Sequence, residues 1–344
     1  MMTFVAVLDS ASLIVDASVD AFVDRLGGPT VVRVPGRDHT RVRVLSGSIH
    51  GNEPSGARAL HRLLRDVVDG VVVPATDLYL VFGALDASLL APRFTHRMRP
   101  GQRDLNRCFR GPFDDDNGQI ARGILAAVLA RPIEAAVDIH NTTGRNPDFI
   151  IAGVVDDARA GLASLFSDRY LAWRLQLGTL SEVLDESGVG VTFECGQVND
   201  PAADARAQDG ARRFATIESL PVGGRPRQLL RDPVRVRLVA GARVSFGDVD
   251  AGAGADLVLP ADLDRFNFEL LPAGTTLGRL ADPSRRVIRV DGDDARDGVD
   301  VAGEVFVHEG DRLVTRVPLV PIMITTNAAV AASDCLLYAV RPRA

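Results

Sequence analysis

Short strand-like apolar runs alternate with stretches of helical spacing through the first two hundred residues, and this restricts the fold more than any other feature. Residues 41–49 carry the alternating run Val42-Arg43-Val44-Leu45, and residues 77–83, 135–140 and 188–194 are further strand-like runs. After the first run, Leu60, Leu63, Leu64, Val67 and Val68 fall on one helical face, and Gly70 ends the pattern. Arg58, His61, Arg62 and Arg65 fall largely on the other face, so His61 is read as a solvated surface residue rather than a ligand. Further helical patterns cover 119–130, a stretch around 162–184, and 203–220. Such alternation predicts an α/β sheet covered by helices on both faces. Sites in these sheets lie beyond the carboxyl ends of strands, where His50, His140 and Glu194 fall.

From about residue 225 the pattern changes to short β-type runs at 234–239, 285–290 and 314–320, broken by Gly, Pro and Asp. The expected organisation is therefore an α/β domain at 1–224 and a smaller β-rich domain at 225–344. Residues 2–34 read as a peripheral strand or helix without chemistry. The segments 252–255 and 291–300 read as exposed loops. The acidic turn Asp291-Gly292-Asp293-Asp294 lacks the later glutamate of a calcium loop and reads as a solvated hairpin.

Composition removes several classes of function. With 46% hydrophobic and 24% charged residues, the chain is of ordinary globular type. A net charge of -6 argues against a nucleic-acid or anionic-membrane partner. All 39 basic residues are arginine, which excludes a lysine Schiff base and a P-loop lysine. The first 24 residues carry no positive charge and are punctuated by Asp9, Asp16, Asp20 and Asp24, so no secretory signal is expected. No apolar run approaches the ~18 residues of a membrane span. Cys108, Cys195 and Cys335 are too few for a disulfide framework and suit a reducing compartment, so a cytoplasmic location is expected.

The candidate chemistry begins at Ser48-Ile49-His50-Gly51-Asn52-Glu53. The pattern around it reads as strand, tight turn and helix, with an imidazole and a carboxylate displayed on the turn. Two such groups could hold two corners of a zinc site, although this spacing also arises by chance. His140 closes an apolar strand, which predicts a fixed, buried imidazole; taken alone, a hydrogen-bonded strand end is the favoured reading. Together the three form a His/Glu/His set that leaves a fourth zinc position for water. Glu194 ends another apolar strand, where a carboxylate is costly to bury without a partner or a task. Beside an activated water it could take and return a proton; a salt-bridged strand end is the plainer reading. Cys195 points to the opposite strand face and reads as a core residue. Arginines 93, 97, 99, 103, 107 and 110 crowd one window around Asp104-Leu105-Asn106-Arg107, and guanidinium forks suit carboxylates.

Four blocks occur in order: His50-Gly-Asn-Glu53, Asp104-Leu-Asn-Arg107, Asp138-Ile-His140-Asn-Thr-Thr and Phe193-Glu194-Cys-Gly. Together they resemble the succinylglutamate desuccinylase/aspartoacylase family, which is related in fold to zinc carboxypeptidases. The resemblance spans roughly residues 40–200 and continues more weakly through Phe266-Asn267-Phe268 and Pro272-Ala-Gly-Thr. It implies a carboxypeptidase-like α/β/α domain with a mixed, mostly parallel sheet. It also implies one zinc ion per chain on His50, Glu53 and His140, with Glu194 as general base and acid. Arg99 matches the arginine that polarises the scissile carbonyl. Asn106 and Arg107 match the pair that grips the substrate carboxylate. Asp104 matches a carboxylate that orients the first zinc histidine, and Asn141 and Thr142 match the aspartoacylase version of the third block as substrate contacts. Tyr338 does not stand in the context of the family's C-terminal substrate tyrosine. Residues 145–190 carry no matching block, with Arg174 a weak substrate contact.

The expected function is therefore zinc-dependent removal of an acyl group from an N-acyl amino acid or a related small anionic amide. A carboxypeptidase of short peptides and a non-catalytic, metal-dependent binder of small anions are the alternatives. A homo-oligomer is left open.

Overall fold

The central strand of the chain is the alternating run that leads to His50. A computed structural model describes residues 4–173, 177–247, 254–291 and 299–342. Two compact units are present: Met1–Asn141 with Asp148–Leu229, and Thr142–Pro147 with Leu230–Ala344. The compositional division at 224/225 is kept as a proposal for the folding units. Arg174, residues 252–253 and residues 292–298 of the acidic loop lie outside the described residues.

The first unit begins with β1 (Ala6–Asp9), α1 (Val19–Leu26), β2 (Thr30–Val34), β3 (Asp38–Gly47), α2 (Pro54–Val68), β4 (Thr76–Phe82) and α3 (Leu85–Ser88). It continues through α4 (Asp116–Val128), β5 (Ala135–Thr142), β6 (Phe149–Ala152), α5 (Asp157–Ala163) and β7 (Arg169–Ala172). Then come α6 (Leu180–Asp185), β8 (Val189–Gln197), α7 (Pro201–Thr216) and β9 (Gln228–Arg231). The strands form one sheet in the order β1-β2-β4-β3-β5-β8-β6-β7-β9. β3 runs parallel to both β4 and β5. Val189 N–H donates to Glu134 O, and Cys195 Sγ lies 3.0 Å from His140 O, so β8 follows β5 in the same direction. Antiparallel joins occur between β2 and β4 and between β6 and β8. This is the expected mixed, mostly parallel sheet. Every residue of β4 and β5 is buried, as in a sheet with both faces covered.

Local chemistry holds the His50–Glu53 turn in place. α2 starts directly after Glu53 with Pro54 in its first turn, where a missing N–H is harmless. Its first turn packs against the end of β3 through two glycines. A Cβ on Gly47 would lie 2.6 Å from the Gly56 carbonyl carbon, and one on Gly56 would lie 2.7 Å from the Gly47 Cα. Neither position has room for a side chain, so helix and strand meet backbone to backbone.

Three expectations are corrected. His61 is buried, not solvated: its Nε2 lies 2.9 Å from the Asp16 carbonyl and its ring packs on Phe22. The amphipathic pattern placed it on the polar face, but the N-terminal segment covers that part of α2. Val68, placed on the apolar face, is 53% exposed. The helical stretch at 162–184 is interrupted by β7, because so short a run as Arg169–Ala172 fits strand and helix alike.

The second unit contains β10 (Val234–Leu238), β11 (Val244–Phe246), β12 (Leu257–Leu259), β13 (Thr276–Leu280), β14 (Ile288–Asp291) and α8 (Ala302–Val305). β15 (Phe306–Glu309), β16 (Arg312–Thr315), β17 (Val320–Ile322), α9 (Ala328–Ser333) and β18 (Leu337–Val340) complete it. It is built on two sheets, β14-β10-β18-β17 and β11-β12-β13-β16-β15. The run at 314–320 is shared between them, with its ends in different sheets. Asn267, from the Phe-Asn-Phe block, ties loops together: its amide donates to Arg145 O and its Oδ1 accepts from Ile324 N–H. Among the described residues, no helix is long and apolar enough to cross a membrane.

Gly56→Ala should cost about 1–3 kcal/mol through overpacking, read as a lower denaturant midpoint. Gly28→Ala, where an added Cβ meets nothing within 4 Å, should leave the midpoint unchanged. Equal midpoints in the two variants would show that the Gly47–Gly56 approach is not tight.

Candidate metal centre

Because β3 and β5 are neighbours, the turn after one strand and the last residues of the other come together. His50, Glu53 and His140 are each at most 5% exposed, and their candidate ligand atoms all lie within 4.8 Å of one another. His50 Nδ1 is 2.8 Å from Glu53 Oε1, and His140 Nδ1 is 2.7 Å from Glu53 Oε2. Both imidazoles thus present the same nitrogen to one carboxylate. Their outer nitrogens are partnered as well, with His50 Nε2 3.1 Å from Asp104 Oδ1 and His140 Nε2 2.8 Å from Asp138 Oδ2. The Ser46 hydroxyl donates to Asp138 Oδ1 at 2.7 Å from the adjacent strand, and Asn141 N–H donates to Glu53 Oε2 at 3.2 Å.

The charges are strongly coupled. Burial would push the Glu53 carboxyl up, yet the two imidazoles hold it well below the ordinary carboxylate range. Burial opposes a charge on His140, but Asp138 and Glu53 raise it well above the usual imidazole value. Asp104 is likewise held low against burial, through its contact with His50 and the charges of Arg97 and Arg107. The donor set fits zinc: two buried imidazoles and a carboxylate face a common point, each histidine backed by a second carboxylate.

Glu194 comes from β8, next to β5 in the sheet. It is half-buried, but its Oε2 is shielded from solvent and has no hydrogen-bond partner among the described residues. Burial pushes this carboxyl up to about 7; His140 pulls it down and Glu53 pushes it further up. Such a group can accept and return a proton near neutral pH. Cys195 faces the other side of the strand, fully buried, as its alternation with Glu194 requires.

The other expected site residues divide. Asn106 lies at the triad, with its Nδ2 3.4 Å from His140 Nε2 and its Oδ1 accepting from Leu180 N–H. Arg107 is exposed, and its Nη1 donates to the Asn106 carbonyl. Asn141 and Thr142 stay proposed as substrate contacts, and their side chains already have partners within the protein. The Asn141 amide is spent on Ser55, Cys195 and Gly196, and the Thr142 hydroxyl donates to Gly144 O. The Asn141 backbone N–H reaches the triad, while its side chain points to the strand face opposite His140. Arg99 is not among the groups that contact the triad; it is half exposed, with Nη1 3.9 Å from Asp86. Two residues were missed. Asp138 could have been found from its place two residues before His140, which puts both on one strand face. Arg97, at Asp104 and His50, left no signal in a window with six arginines.

Comparison with known proteins adds to this geometry. Residues 40–180 match the model of the succinylglutamate desuccinylase/aspartoacylase catalytic domain. The succinylglutamate desuccinylase of Pseudomonas aeruginosa PAO1 is 32% identical over 95 residues, 28% of this chain and 27% of that protein. The one from Pseudomonas fluorescens Pf-5 is 34% identical over 92 residues, 26% of each chain. The matched stretch thus spans about a quarter of the length of these curated relatives. The succinylglutamate desuccinylase/aspartoacylase structure from Rhodobacter sphaeroides has a TM-score of 0.59 at 14% identity, covering 91% of this chain and 89% of that one. Murine aminoacylase 3 has a TM-score of 0.51 at 18% identity, covering 89% and 96%. At these identities the structures establish the fold.

In the metal-free protein, an infrared band of a protonated carboxylic acid should persist until the pH passes about 7, and should be missing from Glu194→Gln. The sign follows from the raised value: the proton is held below it and lost above it. A band gone by about pH 5, near the ordinary glutamate range, would overturn the assignment. Asp138→Asn should weaken zinc binding ~10–100-fold by removing the carboxylate behind His140, measured by competition with a chromophoric chelator.

Proposed function

We propose, from the match of residues 40–180 to the succinylglutamate desuccinylase/aspartoacylase catalytic domain, that this chain belongs to that family and hydrolyses the amide bond of a small N-acyl amino acid. His50, Glu53 and His140 would hold one zinc ion per chain, which when bound would polarise the scissile carbonyl and acidify a water molecule. Glu194 takes the proton of the attacking water and passes it to the departing nitrogen. The carbonyl carbon gains the water oxygen, the C–N bond breaks, and a carboxylate and a free amine leave. Asn106 and Arg107 hold the substrate's carboxylate, with the charge-assisted geometry that guanidinium offers to carboxylates. By the family resemblance, Arg99 assists at the carbonyl. A cytoplasmic setting agrees with three buried free cysteines.

The observation that carries this reading is the buried triad with Glu194 as its neighbour, a carboxylate with one oxygen unpartnered among the described residues. Simple anion storage has no use for a proton shuttle of that kind.

A panel of N-acetyl, N-succinyl and other N-acyl amino acids, assayed beside dipeptides with and without chelator, tests the activity. Release of amino acid from an N-acyl substrate, abolished by chelator and restored by zinc, is the expected result. Hydrolysis confined to dipeptides would replace this reading with a carboxypeptidase, and no turnover of any substrate would leave an anion binder. Glu194→Gln should retain one zinc per chain and lose ~10²-fold or more in turnover. Near-normal turnover in that variant would remove Glu194 from the mechanism.

A further inference from the structure

We infer that Arg97 is a positioning residue of the metal centre, acting through Asp104 to set the His50 imidazole. This rests on the reading of His50, Glu53 and His140 as zinc ligands. Asp104 divides its two oxygens. Oδ1 lies 3.1 Å from His50 Nε2 and accepts the Asn106 N–H at 2.9 Å. Oδ2 accepts two bonds from Arg97, from Nε at 3.1 Å and from Nη2 at 2.8 Å. Two donors of one planar fork on a single oxygen restrict rotation of the carboxylate about its own axis. They thereby fix the direction in which Oδ1 meets His50.

A second, independent tie runs through the main chain. The Arg97 carbonyl accepts the Gly51 N–H at 2.9 Å, in the middle of the His50–Glu53 turn. Gly51 itself has no room for a side chain, since a Cβ there would lie 2.6 Å from the His96 carbonyl oxygen and 2.7 Å from Ser88 N. The turn with two ligands is thus clamped from one side by the 96–97 backbone and from the other by the Arg97–Asp104 pair. The guanidinium also reaches the ligands directly: Nη2 is 2.8 Å from His50 Nε2 and Nη1 is 3.5 Å from Glu53 Oε1. Arg99, two residues on, makes none of these contacts.

A positioning role differs from a substrate clamp in what it controls. Removing Arg97 leaves Asp104 free to turn, which changes how firmly His50 is oriented before any substrate arrives. Zinc affinity and ligand-field geometry should therefore respond, with the stability of the metal-free fold unaffected. Lysine at 97 restores a charge but not a fork, so it should recover only part of the effect.

The test compares wild type, Arg97→Met, Arg97→Lys and Arg99→Met, each as full chain. Zinc affinity is read by chelator competition, the visible spectrum of the cobalt(II)-loaded protein reports geometry, and thermal unfolding of the metal-free protein reports stability. Arg97→Met should bind zinc ~10–100-fold more weakly, with an altered cobalt spectrum and an unchanged unfolding midpoint, and Arg97→Lys should fall between. Arg99→Met should match wild type in zinc affinity and spectrum. Wild-type affinity and spectrum in Arg97→Met, or equal losses in Arg99→Met, would overturn the inference while leaving the zinc reading intact. A lowered unfolding midpoint in Arg97→Met would mark the residue as a fold contact and also overturn it. A wild-type chain that takes up neither ion would overturn the zinc reading, and the inference with it.

Discussion

The Glu53 carboxylate, shared between two imidazoles in a place that excludes water, is the interaction on which the rest of the centre depends. An ionised carboxylate at this depth is costly unless opposed by charge, and His50 and His140 oppose it, one on each oxygen. The surroundings then follow as consequences. Each histidine requires its own outer partner, which Asp104 and Asp138 supply. Those carboxylates in turn require donors, and Arg97 and Ser46 provide them. What results is a chain of alternating donors and acceptors that runs from the loop at 97–104, through the triad, into the centre of the sheet.

The sheet makes this arrangement stiff. Asp138 and His140 lie on one face of β5, and Ser46 sits opposite Asp138 in the register with β3. A one-residue slip of β5 would turn Asp138 and His140 to the wrong face, and one of β3 would turn Ser46 away from Asp138, so sheet register and site geometry are the same constraint. The glycine contact between β3 and α2 adds the remaining fixed point, because it determines where the helix carrying the polypeptide away from Glu53 begins. Glu194 is different in kind. It is held near the triad by its strand, yet one of its oxygens has no partner among the described residues, as suits a group with a proton to exchange.

Most of the architecture could be read from periodicity. Strands at 77–83 and 135–140 and helices at 119–130 and 203–220 were visible because their apolar spacing is unambiguous over long runs. Misreadings occurred where local pattern underdetermines the answer. β7 is four residues long and was absorbed into a helical stretch. His61 followed the polar face of its helix, but another segment covers that face.

The same division runs through the centre itself. The sequence alone determined the residue types and their order: a histidine and a glutamate on one turn, a histidine at a strand end, a glutamate at another, and an Asp-Leu-Asn-Arg loop between them. Those depend on strand ends and turns, which local spacing reveals. Tertiary structure alone decided which neighbouring groups touch. It brought Asp138 behind His140, engaged the Asn141 amide with Ser55, and placed Arg97, one of six arginines in its window, on Asp104. Contacts of this kind depend on strand register and on the path of a loop across a sheet edge, and neither is encoded in the spacing of residues along a single run.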